Sequence, residues 1–536
     1  MCVLTKVDSI KEFCSYKNVV IQCHNFPDAD TIGSGFALYK YFMDAGCNTR
    51  LVYSGSAPIS KTNLVLLVSH LGIPIEYVPE PEPVDGLLVT VDCQYGESNV
   101  SLFPAKNVLI IDHHRPSSKL LGRPRPNIIY ACIKEKYGGC ASVVYQLLQK
   151  AGYRLTLPVS TAMYYGVFMD TNEFSEVREP ADREARDELL FDDAFFTLVK
   201  NSNLNPTELM IAGQALQNYW EKDGLAVIEA QACDPNILGL IADMLIRVEN
   251  VTTAVVFNRM SSTEAGLGEC YKFSVRTCIG EIRANELAEM ITAPRISNGQ
   301  ALGGGGGHRR KAGGRCEVKI FATWCVEQGC NPDFREYLHQ VYTEYSQRSS
   351  IIYCDSYDFS VERYDYRRYQ RQAVISGYVR STELGEIGSR ILLRTPTGDK
   401  HDVIREDLYI RIGLHGELYP CSATEFYAVY RDCQEAMDFS GFMEHDEPKV
   451  VLERTGCKLY LRDILHPCRI KNNDYVWARQ ITTDRKTVKL LPSKWGYADF
   501  TFGNFGDYVV ISTNDLTDIS IVSGNDFAED YTLVTD

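Results

Sequence analysis

The chain has no run of about 18 or more consecutive apolar residues, so no transmembrane helix is expected. Its first residues, MCVLTKVDSIKEFC, hold no continuous apolar stretch and make a poor secretion signal, so a cytoplasmic location is expected. Cys-x-x-Cys pairs are missing too. The 18 cysteines are scattered, and several sit inside apolar runs such as VIQCHN and LLVTVDCQYG. That pattern predicts reduced, mostly buried thiols and excludes a disulfide framework or a zinc-ribbon site. Positive charge is in deficit: the net charge is −15 and the pI about 5.3. A general nucleic-acid-coating surface is thereby excluded, though a small local phosphate site is not. Internal repeats are absent, and the one low-complexity tract is a five-glycine run at 303–307. What remains is an ordinary globular composition, 45% apolar and 23% charged over 536 residues, long enough for about three or four domains.

The chemistry starts at VIQCHNFPDADTIGSGFALYKYF, residues 20–42. An apolar run ends at Cys23, and His24, Asp28 and Asp30 follow within seven positions, with no basic residue among them. Asp, Asn, Pro and Gly also make simple turns, so this window by itself supports a polar turn and a metal site about equally. The rest of the N-terminal part resolves the choice. NVVIQCH, GLLVTVDC and KNVLIIDHH are continuous apolar runs separated by helical stretches such as ASVVYQLLQKAG. Such runs predict a parallel sheet covered on both faces, with ligands bound beyond the carboxyl ends of its strands. The first run ends at His24, Asp28 and Asp30, the second at Asp92, the third at Asp112, His113 and His114. A fourth, TAMYYGVFMDTNEF, is expected to end likewise at Asp170. Carboxylates and imidazoles at successive strand ends converge on one edge and suit hard divalent cations.

The expected organisation is a catalytic α/β domain over 1–205, a helical linker over 206–225, a smaller α/β domain over 226–345 and a mostly β region over 346–536. The second domain holds strand-like GLAVIEA, TTAVVFNRM and YKFSVRTC, helical ANELAEMI and the segment GGGGGHRRKAGG. Five glycines often form a flexible linker. Here the following His308, Arg309, Arg310 and Lys311 favour a backbone cradle for phosphate. Beyond 346, short alternating runs such as QAVISGYVRS, DLYIRIG, EFYAVY and DYVVIST predict strands. Within that region YDFSVERYDYRRYQRQ interleaves tyrosine and arginine. Such a stretch can stack bases, but a solvated linker or a surface helix is the favoured expectation. DRKTVKLLPSKWGY, residues 484–497, is ambiguous in the same way.

In their order, HNFPDAD, VDC, IDHHRP and MDTNEF resemble the four motifs of the DHH phosphoesterase superfamily. GGGGGHRRKAGG resembles the glycine-histidine signature of its associated substrate-binding domain. The resemblance spans about residues 18–320. It implies a parallel-sheet catalytic domain, two Mn²⁺ ions and hydrolysis of phosphoester bonds. It also implies roles: His24 and Asp28 on the first metal, Asp30, His113 and Asp170 on the second, and Asp92 bridging both. His114 would face the substrate phosphate and Asp112 would orient the histidines. Arg276, Gly305, Gly306, Gly307 and His308 would bind substrate, while Asn285 is expected to be structural. The sequence departs from the family where Lys311 replaces the first of two alanines, and where the loop before the glycines is longer. Both departures bear on the substrate.

The implied function is Mn²⁺-dependent hydrolysis of short oligoribonucleotides or di-adenylate (pApA, cyclic di-AMP) to mononucleotides by a metal-activated water. The alternative is a phosphatase of adenosine bisphosphate, pAp. A catalytically silent nucleotide sensor is disfavoured because every expected metal ligand is present. The expected partners are short RNA or a dinucleotide, linear or cyclic, and a second copy of the chain in a homodimer. No membrane and no long nucleic acid are expected.

Overall fold

A computed structural model describes residues 9–534 apart from 115–126, 262–267, 436–446, 472–474, 483–487, 492–500 and positions 56, 98, 178, 203, 234, 293–294, 298, 349, 355–356, 373–374, 397, 414 and 504. Arg115 and Pro116 of the third motif, and most of 484–497, lie outside the described residues. Two compact units emerge. One joins residues 1–204 to 375–469, the other 205–374 to 470–536. The C-terminal region expected as one block over 346–536 is thus shared between the units.

The first unit is built on six strands: β1 (Asn18–Gln22), β2 (Asn48–Tyr53), β3 (Ile75–Tyr77), β4 (Val84–Val91), β5 (Ala105–Asp112) and β6 (Ile128–Ile133). Their order is β3-β2-β1-β4-β5-β6 and every pairing is parallel. The strands read as continuous apolar runs because both faces are buried. On β4, Leu87, Val89 and Val91 enter the core beneath the helices α1 (Ala29–Asp44), α3 (Cys140–Lys150) and α4 (Leu157–Asp170), while Leu88 joins Val108, Ile110 and Phe103 on the other face. Helices α2 (Thr62–Leu71) and α5 (Pro180–Glu188) pack against the same core. The strand order reverses between β1 and β4, and the crevice beyond their carboxyl ends is where such sheets take ligands.

Residues 157–170 are the helix α4, so Asp170 ends a helix and not a fourth strand. An apolar run buried on all sides has no periodicity to separate helix from strand. The signal lay in Pro158, which occupies the first turn of the helix. The glycines of GSG serve the same packing. A Cβ on Gly33 would lie 2.6 Å from the Ala162 carbonyl oxygen of α4, and one on Gly35 would lie 2.7 Å from Leu51 Cδ1 of β2. Only glycine lets α1 approach both neighbours so closely.

The second unit holds α6 (Pro206–Ala215) and a six-stranded sheet. Its strands are β7 (Trp220–Lys222), β8 (Leu225–Glu229), β9 (Thr253–Ser261), β10 (Glu269–Thr277), β13 (Gly303–Gly307) and β14 (Lys311–Glu317), in the order β13-β14-β10-β9-β8-β7. A small hairpin, β11 (Ile296–Ser297) with β12 (Gln300–Ala301), precedes the glycines. Helix α7 (Pro235–Leu245) covers one face through Ile237, Leu238 and Ile241. Helices α8 (Ala284–Thr292), α9 (Val318–Gln328) and α10 (Phe334–Arg348) cover the other. The segment 206–225, expected as a helical linker, is helical only to Asn218, and its end starts the sheet.

The other described strands pair largely antiparallel, except that Ser350–Tyr353 pairs in parallel with Val488–Leu491 in a three-stranded sheet. Within 375–470 there is a five-stranded and a four-stranded sheet; the second unit adds a five-stranded sheet around Arg367–Arg371 and Tyr475–Gln480. Two local expectations change here. All of EFYAVY but its last tyrosine lies in a helix, Ala423–Val429, started by a Ser422/Glu425 capping box. The Tyr/Arg stretch, expected as linker or helix, places Arg367–Arg371 as a strand between Tyr475–Gln480 and Tyr531–Leu533. Its arginines stack on rings of their own unit, Arg363 on Trp477 and Arg368 on Tyr475. The described cysteines are free thiols, most of them buried. Among the described residues, no helix is long and apolar enough to cross a membrane.

Candidate metal centre

Five elements of the first unit bring eight side chains to the β1/β4 crevice. The chain leaves β1 through Cys23, whose N–H donates to the Val52 carbonyl at 2.9 Å, and delivers His24. Asp28 caps α1, its Oδ1 accepting from the N–H groups of Asp30 and Thr31 at 3.0 Å each. Its Oδ2 stands 3.7 Å from His24 Nε2. Asp30, in the first turn of α1, is buried. Its two oxygens accept from the N–H groups of Cys140 (2.5 Å) and Ala141 (2.9 Å) at the start of α3.

Asp92 follows β4 with φ of +59°, a left-handed conformation that aspartate tolerates better than most residues. Its N–H donates to the Ile111 carbonyl at 2.9 Å, which pins the turn. The carboxylate is 2% exposed and central. Oδ2 lies 3.6 Å from His24 Nε2, and Oδ1 lies 3.3 Å from His113 Nε2 and 3.6 Å from His114 Nδ1. From the end of β5, Asp112 accepts from the N–H of His113 at 2.8 Å and from His114 Nδ1 at 2.9 Å. Asp170, at the end of α4, sets Oδ2 3.2 Å from His113 Nε2.

Among the described residues of the first unit the ligand atoms fall into three overlapping groups, each within 4.8 Å: His24–Asp28–Asp92, Asp30–Asp92–His113 and Asp92–Asp112–His114. Asp92 is common to all. His113 Nδ1 faces the Tyr137 carbonyl at 3.0 Å, so that nitrogen carries the proton and Nε2 turns a lone pair toward Asp92 and Asp170. A lone pair facing two carboxylates is stable only with a cation or proton between them. Asp92 Oδ1 is buried without a hydrogen bond. Both features fit a divalent ion, and the donor set of oxygens with a few imidazoles suits Mn²⁺ or Mg²⁺.

The electrostatics follow the same crowding. Burial works against the charged form of His24, yet Asp28 and Asp92 raise its pKa to about 10. Burial likewise opposes a charged His113, but Asp170 and Asp92 raise it. For Asp92 burial pushes upward, and the facing imidazoles hold the carboxyl well below its usual range. Asp30 is raised by burial and by the Asp170 and Asp92 charges. Without metal the site is a store of protons, so metal loading releases them.

The second unit gathers the other candidate residues at one end of its sheet. Arg276 pairs with Lys311 across β10 and β14, and Gly307 pairs with Ala312. His308 follows in the tight connection, its N–H donating to the Lys311 carbonyl at 2.7 Å. The glycine run is a strand, not a linker, and its faces differ. A Cβ on Gly305 would lie 2.4 Å from the Ala288 carbonyl oxygen of α8, whereas Gly304 and Gly306 have nothing within 4 Å. Gly305 is therefore required by helix packing, and Gly306 lies on the open face. The Arg276 guanidinium is held by Asp243 Oδ1 at 2.7 Å and Ser274 Oγ at 2.9 Å. That salt bridge was not legible in the sequence.

Other supporting groups were missed as well. Gln94 Nε2 donates to Asp112 Oδ2 at 2.8 Å and to the His114 carbonyl at 3.0 Å. Its place two residues after Asp92 was the available signal. Tyr137, through its carbonyl, and the N–H groups of Cys140 and Ala141 had none, because backbone groups leave no trace in residue identity.

Residues 18–167 match the DHH family, N-terminal domain. An uncharacterised protein of Methanocaldococcus jannaschii is 24% identical over 309 residues, covering 56% of this chain and 59% of that protein. Among solved structures, an exopolyphosphatase-related protein from Bacteroides fragilis is similar at 16% identity and TM-score 0.45, covering 64% of this chain and 99% of that one. RecJ with Mn²⁺ from Thermus thermophilus is similar at 14% identity and TM-score 0.33, covering 88% and 72%. A pGpG-specific phosphodiesterase from Vibrio cholerae is similar at 11% identity and TM-score 0.25, covering 61% and 99%. The matching segment spans the parallel sheet and all the ligand motifs but the last, so this N-terminal part of the chain is similar to the DHH family's N-terminal domain.

Proposed function

We propose that this chain is a divalent-metal-dependent phosphodiesterase that hydrolyses short oligoribonucleotides or di-adenylate, linear or cyclic, to mononucleotides. One observation carries the reading: carboxylate and imidazole groups share the buried Asp92 at the reversal point of a parallel sheet. His24 and Asp28 would hold one ion, Asp30, His113 and Asp170 the other, and Asp92 both. Two Mn²⁺ ions there would supply Lewis acidity at the phosphoryl group and lower the pKa of the attacking water.

The chain's own groups position and neutralise. Asp112 fixes the His114 ring through Nδ1, and that ring is 38% exposed, accessible to a substrate phosphate. It donates a hydrogen bond to a phosphoryl oxygen as charge grows there. In the second unit, the groups available to the nucleotide portion of a substrate are Arg276, His308 and the open backbone at Gly306. Short substrates are favoured because a chain of charge −15 offers little for a long polyanion.

The test is hydrolysis of pApA, a five-nucleotide RNA, cyclic di-AMP and pAp with Mn²⁺, for wild type and Asp92→Asn. Turnover of at least one dinucleotide or short RNA, lost with EDTA and in the variant, is expected. Full activity in EDTA would overturn the reading. Turnover of pAp alone would replace phosphodiesterase by phosphatase.

A further inference from the structure

Helix α5 has the sequence PADREARDE, the composition of a solvated surface helix, yet Ala181, Asp182, Arg183, Glu184 and Ala185 are all buried. The strands of 375–469, in the same unit, explain why. Arg183 Nε donates to Asp399 Oδ1 at 2.6 Å, and its Nη2 donates to the Thr395 carbonyl. Glu184 meets Lys449 Nζ at 2.7 Å and Lys458 Nζ at 2.5 Å. The helix is clamped along its charged face.

On that helix Asp182 is fully buried and reaches the loop before α3. Its Oδ2 accepts from the Gly138 N–H at 2.8 Å. The loop is threaded tightly: a Cβ on Gly138 would lie 2.6 Å from Thr171 Cγ2, and one on Gly139 would lie 3.3 Å from Asp30 Oδ2 and 3.6 Å from Asp170 Cβ. Two groups of the metal centre depend on this loop. The Tyr137 carbonyl accepts from His113 Nδ1, and the Cys140 and Ala141 N–H groups hold both oxygens of Asp30.

We propose that Asp182 is a positioning residue of the metal centre. Through Gly138 it fixes the loop 137–141, and with it the ring of His113 and the carboxylate of Asp30, while the strands of 375–469 hold its helix in place. The inference rests on the metal reading of the site. Groups that orient metal ligands from behind are worth about 10- to 100-fold in metal affinity.

The experiment measures Mn²⁺ binding to the full chain by calorimetry, together with hydrogen exchange of the 137–142 amides in metal-free protein. Asp182→Leu and the milder Asp182→Ala are expected to weaken Mn²⁺ about 10- to 100-fold and to speed exchange of the loop. Asp182→Asn keeps an oxygen that can accept from Gly138 and is expected to stay within about threefold of wild type. Leu67→Ala opens a cavity in the core elsewhere; it should lower thermal stability and leave both readouts unchanged. If Asp182→Leu does not fold, Asp182→Ala and Asp182→Asn decide. Wild-type affinity and wild-type loop exchange in Asp182→Ala overturn the proposal, as does equal weakening by Leu67→Ala. A wild-type chain that binds no Mn²⁺ overturns the metal reading itself, and this inference with it.

Discussion

Glu184 offers the sharpest physical test of how the first unit is held together. Its side chain is 2% exposed and faces two ammonium groups, Lys449 and Lys458, with Gln146 Nε2 donating at 2.7 Å. Burial works to raise its pKa, but the two lysines prevail and lower it from 4.5 to about 2. A depression of that size corresponds to roughly 3 kcal/mol favouring the ionised, folded form. Because the folded pKa is the lower one, this stabilisation is complete above the unfolded value near 4.5 and is lost as pH falls through about 2. Glu184→Gln should therefore cost about 3 kcal/mol at pH 7, and the difference from wild type should shrink between pH 4.5 and 2. None of the four tryptophans lies in the sequence of the first unit, and the described ones, Trp220, Trp324 and Trp477, belong to the second. Their fluorescence reports that unit, so the first needs urea titration read by hydrogen exchange of peptides covering 180–188. A difference below about 1 kcal/mol at pH 7, or one that does not change with pH, refutes the reasoning, since either means that the lysines do not hold the carboxylate.

Three further outcomes are expected. Gly305→Ala forces a Cβ to 2.4 Å from the Ala288 carbonyl oxygen and should destabilise the second unit by about 1–3 kcal/mol; Gly306→Ala should leave the melting of that unit unchanged and raise KM, as tryptophan-monitored melts and initial rates will show. Asp92→Asn, preferred over alanine because asparagine tolerates the left-handed φ of +59°, should keep the fold by circular dichroism and lose Mn²⁺ binding and turnover together. In a length series of 5′-phosphorylated oligoadenylates, kcat/KM should be highest at about two to five nucleotides, since a longer polyanion gains no contacts on an acidic chain; a rate that stays level toward about twenty would point to an exonuclease of long strands.

The sequence by itself determined the pieces whose signals are local. Apolar runs ending in His24, Asp92 and Asp112–His114 announced parallel strands with ligands at their ends, because a strand buried on both faces must be apolar and its loop alone is free to carry charge. The glycines and His308 announced a close backbone approach, although not which glycine faced a helix and which lay open. Tertiary structure alone decided the rest. Asp170 arrives on α4, since an apolar run buried on all sides does not declare its period. The charged helix α5 is buried because its partners, Asp399 and Lys458, lie 216 and more than 270 residues further along the chain. Tyr137 and Cys140 serve the site through backbone groups that every residue shares. Residue identity encodes local backbone preference and burial. Which distant groups meet is fixed only when the sheet, helices and later strands close around one another.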